Sequence, residues 1–229
     1  MSAKLHTTHA PHESKTRILN SALQIFRARG YSATRIEDVC EAAGLTKGSF
    51  FHHFKGKGDL ALAAIQHWNT LTGGLFAGAD YRLHSDPLDR LLAYIDFRKA
   101  LLGGELPDFT CLAGTMVQEV YLTHPEICDA CHQSITSHAA TLESDIAQAM
   151  QEYAVHADWT PRSLALYTQA VIQGAFILAK TGEGIPIAAS CLDHLRRYVE
   201  MLFNRPVTLA SELARLHTDE LMRFQQEEN

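Results

Sequence analysis

Cysteine and histidine hold most of the reactive atoms in this 229-residue chain. Cys111 lies in Thr110-Cys111-Leu112-Ala113-Gly114, where the pattern opens a helix. A thiol in a helix's first turn is made more nucleophilic by the free N–H groups and the dipole. Without that effect, Cys111 is a small packing residue. Cys128-Asp129-Ala130-Cys131-His132 matches C-x-x-C-H in form. Haem attachment of that kind belongs to exported chains, and residues 1–11 show no apolar signal core. A zinc site would draw on Cys128, Cys131 and either His124 or His132, but it lacks a second cysteine pair at ribbon spacing. His6, His9 and His12 read as part of a solvated tail. No nucleophile, base and acid occur at a diagnostic spacing, so a thiol-dependent helical enzyme or a metal-binding protein is only the alternative. The expectation is no enzyme, no cofactor and no metal.

A second chemistry, phosphate recognition, is written in Thr34 to Leu60, TRIEDVCEAAGLTKGSFFHHFKGKGDL. Thr34 and Glu37 fit an S/T-x-x-E capping box. Ile36, Val39, Cys40 and Ala43 then form one apolar stripe, and Gly44 stops the helix. Thr46 caps a second short helix, Lys47 to about His53. Phe50 and Phe54, four apart, anchor it, while Phe51, His52 and Lys55 point elsewhere. Its first turn, Lys47-Gly48-Ser49, is small, polar and positive. Such a helix suits a DNA major groove, because bulk there would hold the backbone off the phosphates. The alternative is a plain αα-hairpin.

The run Ala42 to Leu60, AAGLTKGSFFHHFKGKGDL, resembles the recognition segment of TetR-type transcriptional repressors. Two residues depart from the usual pattern. Phe51 replaces a tyrosine, so a phosphate-contacting hydroxyl is missing, and Gly58 stands where an acidic or polar residue is commoner. The resemblance implies an all-α protein with an N-terminal three-helix helix-turn-helix head and a helical body that binds ligand and dimerises. It implies base and groove contacts from Thr46, Lys47, Gly48, Ser49, Phe51 and His52, with Thr34, Arg35 and Lys57 on phosphates. The segment TCLAGTMVQEVYLTHPEI is similar to one in an N-ethylmaleimide-responsive subset of that family, which senses electrophiles and oxidants through a cysteine here. A covalent trigger at Cys111 is therefore the second functional reading.

Charge supports a DNA-binding head. The chain is −6 overall, yet residues 1–60 hold nine Lys/Arg against five Asp/Glu, leaving +4 there and −10 on the rest. A basic head on an acidic body fits one DNA-binding domain joined to one that does not bind DNA. The composition is that of a soluble chain, 46% hydrophobic and 20% charged. The apolar run Ser163–Ala179 is 17 residues long, short of a membrane span, and contains Gln169 and Gln173. Five cysteines without a signal segment imply free thiols in the cytoplasm.

The elements that must position these groups follow from the punctuation. Residues 1–13 read as a disordered arm, 14–57 as the DNA-binding domain and 58–229 as the ligand-binding and dimerisation domain. Ser14 caps a first helix to about Arg29. A fourth helix, Asp59 to about Ala77, joins head to body and serves as the lever. A loop covers Gly78 to Ser85, and Asp86-Pro87 starts a helix to Leu102. Asp108 or Thr110 caps one to Tyr121. Pro125 opens one to His156 and Pro161 one to Ala179. A turn with Gly182, Gly184 and Pro186 precedes Ile187–Phe203, and Val207–Glu227 is the last helix.

The helix from Pro161 is apolar on every face and must be covered on every face. Leu166, Ala170 and Gly174, with Leu192, Leu195, Val199 and Leu202 on the next helix, are expected to form a four-helix bundle with a second copy. Ligand contacts are expected from Trp68, Phe97, Cys111, Met116, Glu119, Val120, Gln173, Phe176 and Ile177. The partners expected are operator DNA, a second copy and a small-molecule inducer, with no membrane.

Overall fold

The computed structural model describes residues 11–205, and no strand occurs among them. The first helix, α1 (Pro11–Arg29), starts earlier than expected. Ser14 is therefore inside it, buried, with its hydroxyl 2.7 Å from His53 Nε2. The arm assigned to 1–13 is corrected to this extent, and residues 1–10 lie outside the described residues.

The helix-turn-helix consists of α2 (Ile36–Ala43) and α3 (Lys47–His53). Gly44 takes the left-handed conformation, φ 62°, and returns its N–H to the Cys40 and Glu41 carbonyls. Thr46 caps α3 by accepting the Ser49 N–H at 3.2 Å. The cap of α2 is displaced by one residue from the expected one. Asp38 accepts the Arg35 backbone N–H at 3.1 Å and pairs with the Arg35 guanidinium at 2.8 Å. Thr34 is instead buried, and its hydroxyl donates to the Gly30 carbonyl at 2.6 Å.

Helix α4 (Lys57–Ala77) leads through a 3-10 turn at Asp80–Leu83 into α5 (Pro87–Ala100), capped by Asp86. The helix expected to run to Tyr121 is α7 (Leu112–Val120), capped by Cys111 and not by Asp108 or Thr110, and a one-turn α6 (Leu106–Phe109) precedes it. Next come α8 (Pro125–Glu152) and α9 (Pro161–Leu178). The turn expected at Gly182–Pro186 is a π turn over Ala179–Glu183, with Gly182 at φ 111°. The last described helix, α10 (Gly184–Leu202), folds back onto α9. The expected helix Val207–Glu227 lies outside the described residues.

Two cores hold these elements. The body core gathers α5, α8, α9 and α10 around residues such as Tyr94, Leu142, Ile172 and Leu195. The second core starts in the head with Ile18, Phe26, Phe50 and Phe54, takes in Leu60 to Ile65 of α4, and ends on Leu112, Met116, Val120 and Cys131. Packing therefore does not divide at residue 57. The head is built onto α7 and the start of α8 through one set of packed side chains.

The segment Pro161–Leu202 is apolar enough to cross a membrane by length and composition. Here it is two helices packed side by side, with Thr168 and Gln169 buried between neighbours.

Candidate functional site

Two sites emerge, one on the head and one inside the body. On the head, Phe50 and Phe54 are 0% and 3% exposed, while Phe51 is 56% exposed. The two buried rings, 5.5 Å apart, hold α3 so that Thr46, Lys47, Gly48 and His52 face solvent, with Ser49 half-buried. Arg35, Lys47, Phe51 and Lys57 meet around a shallow cleft of about 290 Å³. Lys47 is paired with Glu37 at 2.5 Å. That pair is exposed, so it costs little to exchange Glu37 for a phosphate.

Two of the residues that the resemblance places on phosphates have partners within the protein. The buried Thr34 hydroxyl is already committed to Gly30. Lys57 donates to the carbonyls of Tyr31, Ser32 and Thr34 at 3.0, 3.3 and 3.0 Å, and its ammonium lies 4.5 Å from the Tyr31 ring centre. An ammonium has three N–H donors, and all three are used. Lys57 thus clasps the 31–34 connection. Replacing Lys57 with Met is expected to cost about 2 kcal/mol, from charge-assisted bonds worth roughly 1.5–3 kcal/mol each when fully made. Thermal melting should show a fall of roughly 4–8 °C.

The second site is a cavity of about 470 Å³ in the body, bounded by α4, α5, α8 and α9 with α1 and α6 at one end. Of the nine residues expected to contact ligand, Trp68, Cys111, Gln173 and Phe176 line it. The other five expected ligand residues do not. Met116 and Val120 are fully buried in the head-side core, because α7 turns its apolar face toward α1. Glu119 accepts the Ser32 backbone N–H at 2.7 Å, a contact between body and head. Phe97 packs behind Phe76, with ring centres 5.6 Å apart. Ile177 is on the outer face of α9, 46% exposed.

Several wall residues carry no local sequence signal. Arg27 comes from the head, is buried, lies 4.9 Å from the Trp68 ring centre and donates to the Asp108 carbonyl at 3.3 Å. Burial pulls its pKa below the ordinary value, with Asp108 and Cys111 acting against that. Arg98 stands over Phe76 and Phe176 at 5.3 and 5.7 Å.

A relay closes the deep side of the cavity. Gln169 Nε2 donates to the Tyr94 hydroxyl at 3.1 Å, which lies 2.9 Å from His138 Nε2. The phenol oxygen can accept from both neighbours or pass its own proton to His138, according to the tautomer of that ring. Burial, with Arg98 and Arg82 nearby, pushes the His138 pKa down to about 3.

The sign of that shift gives a pH prediction. The unfolded chain takes up the proton first as pH falls from about 6.5, so the stability is fully present above that value and is lost toward about 3. At about 1.4 kcal/mol per unit, roughly 2 kcal/mol should go between pH 6.5 and 5. Urea unfolding at pH 7.5 and 5.0 should show a shallower loss for His138→Gln, which keeps a hydrogen-bonding partner for Tyr94. Equal losses in the two proteins would refute it.

Among the cysteines, Cys111 is the N-cap of α7, its sulfur accepting the Gly114 N–H at 3.4 Å. Cys131 is fully buried, and burial, then Cys111 and Cys128, push its pKa up to about 12. No group of three or more His, Cys, Asp or Glu suited to a metal occurs among the described residues.

Comparison with known proteins agrees with this two-part arrangement. Residues 18–64 match the family model for bacterial regulatory proteins of the tetR family. Residues 87–190 match the tetracyclin repressor-like C-terminal domain. The uncharacterised HTH-type regulator YerO of Bacillus subtilis is 28% identical over 42% of this chain, and the match spans only 32% of that relative. LmrA of the same organism is 22% identical over 80% of this chain and 96% of its own length. The crystal structure of reduced E. coli NemR superposes with a TM-score of 0.70 at 19% identity, covering 81% of this chain and 96% of that one. At such identity the likeness is one of fold. With one family model on the head and its companion on the body, the chain belongs to the TetR family of DNA-binding helix-turn-helix transcriptional regulators.

Proposed function

We propose that this protein is a cytoplasmic repressor that binds palindromic operator DNA as a homodimer and lets go when a small molecule enters the body cavity. It works by binding and not by catalysis. The observation that carries this reading is the continuous core from α3 through α4 and α7 to the cavity wall, with Arg27 of the head itself in that wall. A ligand can shift the heads only by binding one of their arrangements better than the other. Arg27, Trp68 and the Glu119–Ser32 contact are where such a preference would be felt. A gel-shift with the DNA flanking its own gene tests the reading. Sequence-specific, salt-sensitive binding is expected, and its absence across that DNA sinks it.

A covalent trigger at Cys111 is the second reading. It is favoured by one observation, that the thiol both lines the cavity and caps α7. Adding a group to that sulfur would remove the Gly114 cap and crowd the cavity. Cys111→Ser is then expected to abolish release of DNA by N-ethylmaleimide, and an unchanged response excludes the idea.

A further inference from the structure

The cavity holds a positive charge that the protein does not neutralise. The two other cations of α5 are paired, Arg90 with Asp145 at 2.8 Å and Lys99 with Asp193 at 2.6 Å. Arg98 has no carboxylate or carbonyl partner among the described residues. Its only contacts of note are the faces of Phe76 and Phe176. Ring faces attract the guanidinium but leave its in-plane N–H donors unused. Five such donors in a fixed fork match a carboxylate.

The remaining wall carries no acid that is paired with Arg98 among the described residues. Its one acid, Asp108, accepts the Glu105 N–H at 2.9 Å and lies beside Arg27. His138 brings a neutral ring and no negative charge. Gln169 is already spent on Tyr94, and the hydroxyls of Ser134 and Thr141 donate to Asn69 and to the His138 carbonyl. Apolar surface makes up the rest, chiefly Trp68, Phe109, Phe176 and Ile135. A space of about 470 Å³ is in the range of small-molecule sites.

We propose that the cavity takes a small monocarboxylate, its carboxylate on the Arg98 guanidinium and its apolar body against the aromatic wall. This rests on the reading of the cavity as the inducer site and adds the chemical class. A neutral molecule of the same shape would leave the guanidinium unpaired under an apolar ligand, which costs binding.

The test uses the full-length protein and matched pairs, 1-naphthoate against 1-naphthamide and decanoate against decanamide, measured by titration calorimetry. At least one carboxylate is expected to bind about ten-fold or more tightly than its amide. In Arg98→Gln that carboxylate should fall to the level of the amide. The wild-type comparison stands even if the variant fails to fold. If an amide binds as well as its acid, the carboxylate proposal is overturned while the cavity remains a ligand site. If no acid and no amide binds, both the proposal and the ligand-site reading fall. Retention of the ten-fold preference in a folded Arg98→Gln also overturns the assignment.

Discussion

Replacing Gly48 with alanine should make the protein more stable and a worse DNA binder. A Cβ placed on Gly48 meets only Thr46 Oγ1, at 3.7 Å, an ordinary contact. The residue is in the first turn of α3, where glycine costs roughly 0.5–1 kcal/mol relative to alanine. Nothing inside the protein therefore requires glycine at this place. If the residue serves the DNA face, the requirement comes from outside, where the first turn of α3 must approach a duplex. The expected result is a melting point raised by about 1–4 °C and operator affinity lowered by about ten-fold. Most damaging substitutions lower stability and activity together, so the opposite signs separate a binding role from a folding role. Unchanged DNA affinity in the Ala variant would remove Gly48 from the interface.

The contrast between the two sites shows what the amino-acid sequence encodes locally. The head was legible because its signals are short-range. Thr46 and Ser49 cap a helix three residues apart, Gly44 ends one, and Phe50 and Phe54 share a face. The shift of the α2 cap from Thr34 to Arg35 shows the limit even there. Both Glu37 and Asp38 stand near the right spacing, and burial of Thr34 decides between them.

The cavity was mostly illegible. Arg27, Arg98, His138 and Gln169 come from four helices, and each looks ordinary in its own segment. Arg27 in particular counts toward the basic head in any charge sum, yet it is buried against Trp68 in the cavity wall. Periodicity found that α10 has an apolar stripe but could not say what covers it. Leu192, Leu195 and Val199 are at most 2% exposed within the one chain, packed on α5 and α9, so they are not available to a second copy. Leu202, half-buried, also joins the body core. That corrects the expected interface.

The surface left for a partner is the other side of the same helices. Twelve large apolar side chains are exposed among the described residues, and six of them, Leu166, Tyr167, Ile177, Leu178, Tyr198 and Met201, are on α9 and α10. Tyr167 and Tyr198 lie 5.1 Å apart and make the patch continuous across the two helices. Concentration of this kind marks an interface. Ala170 is exposed between them, and Gly174 is half-buried with no atom within 4 Å of where a Cβ would stand, so the protomer itself would accept a large side chain there. A second copy packed helix to helix would not. Gly174→Arg is therefore expected to leave the protomer folded, turn the dimer into a monomer by light scattering at micromolar concentration, and reduce operator affinity by about 100-fold. The size follows from losing the second half-site, since two linked heads gain roughly that much over one. Gly103→Arg, at an equally open but distant glycine, should change neither quantity. Apparent stability of the Gly174 variant should also cease to rise with protein concentration, because assembly no longer favours the folded state. A Gly174→Arg protein that remains a dimer would move the interface off this face of α9.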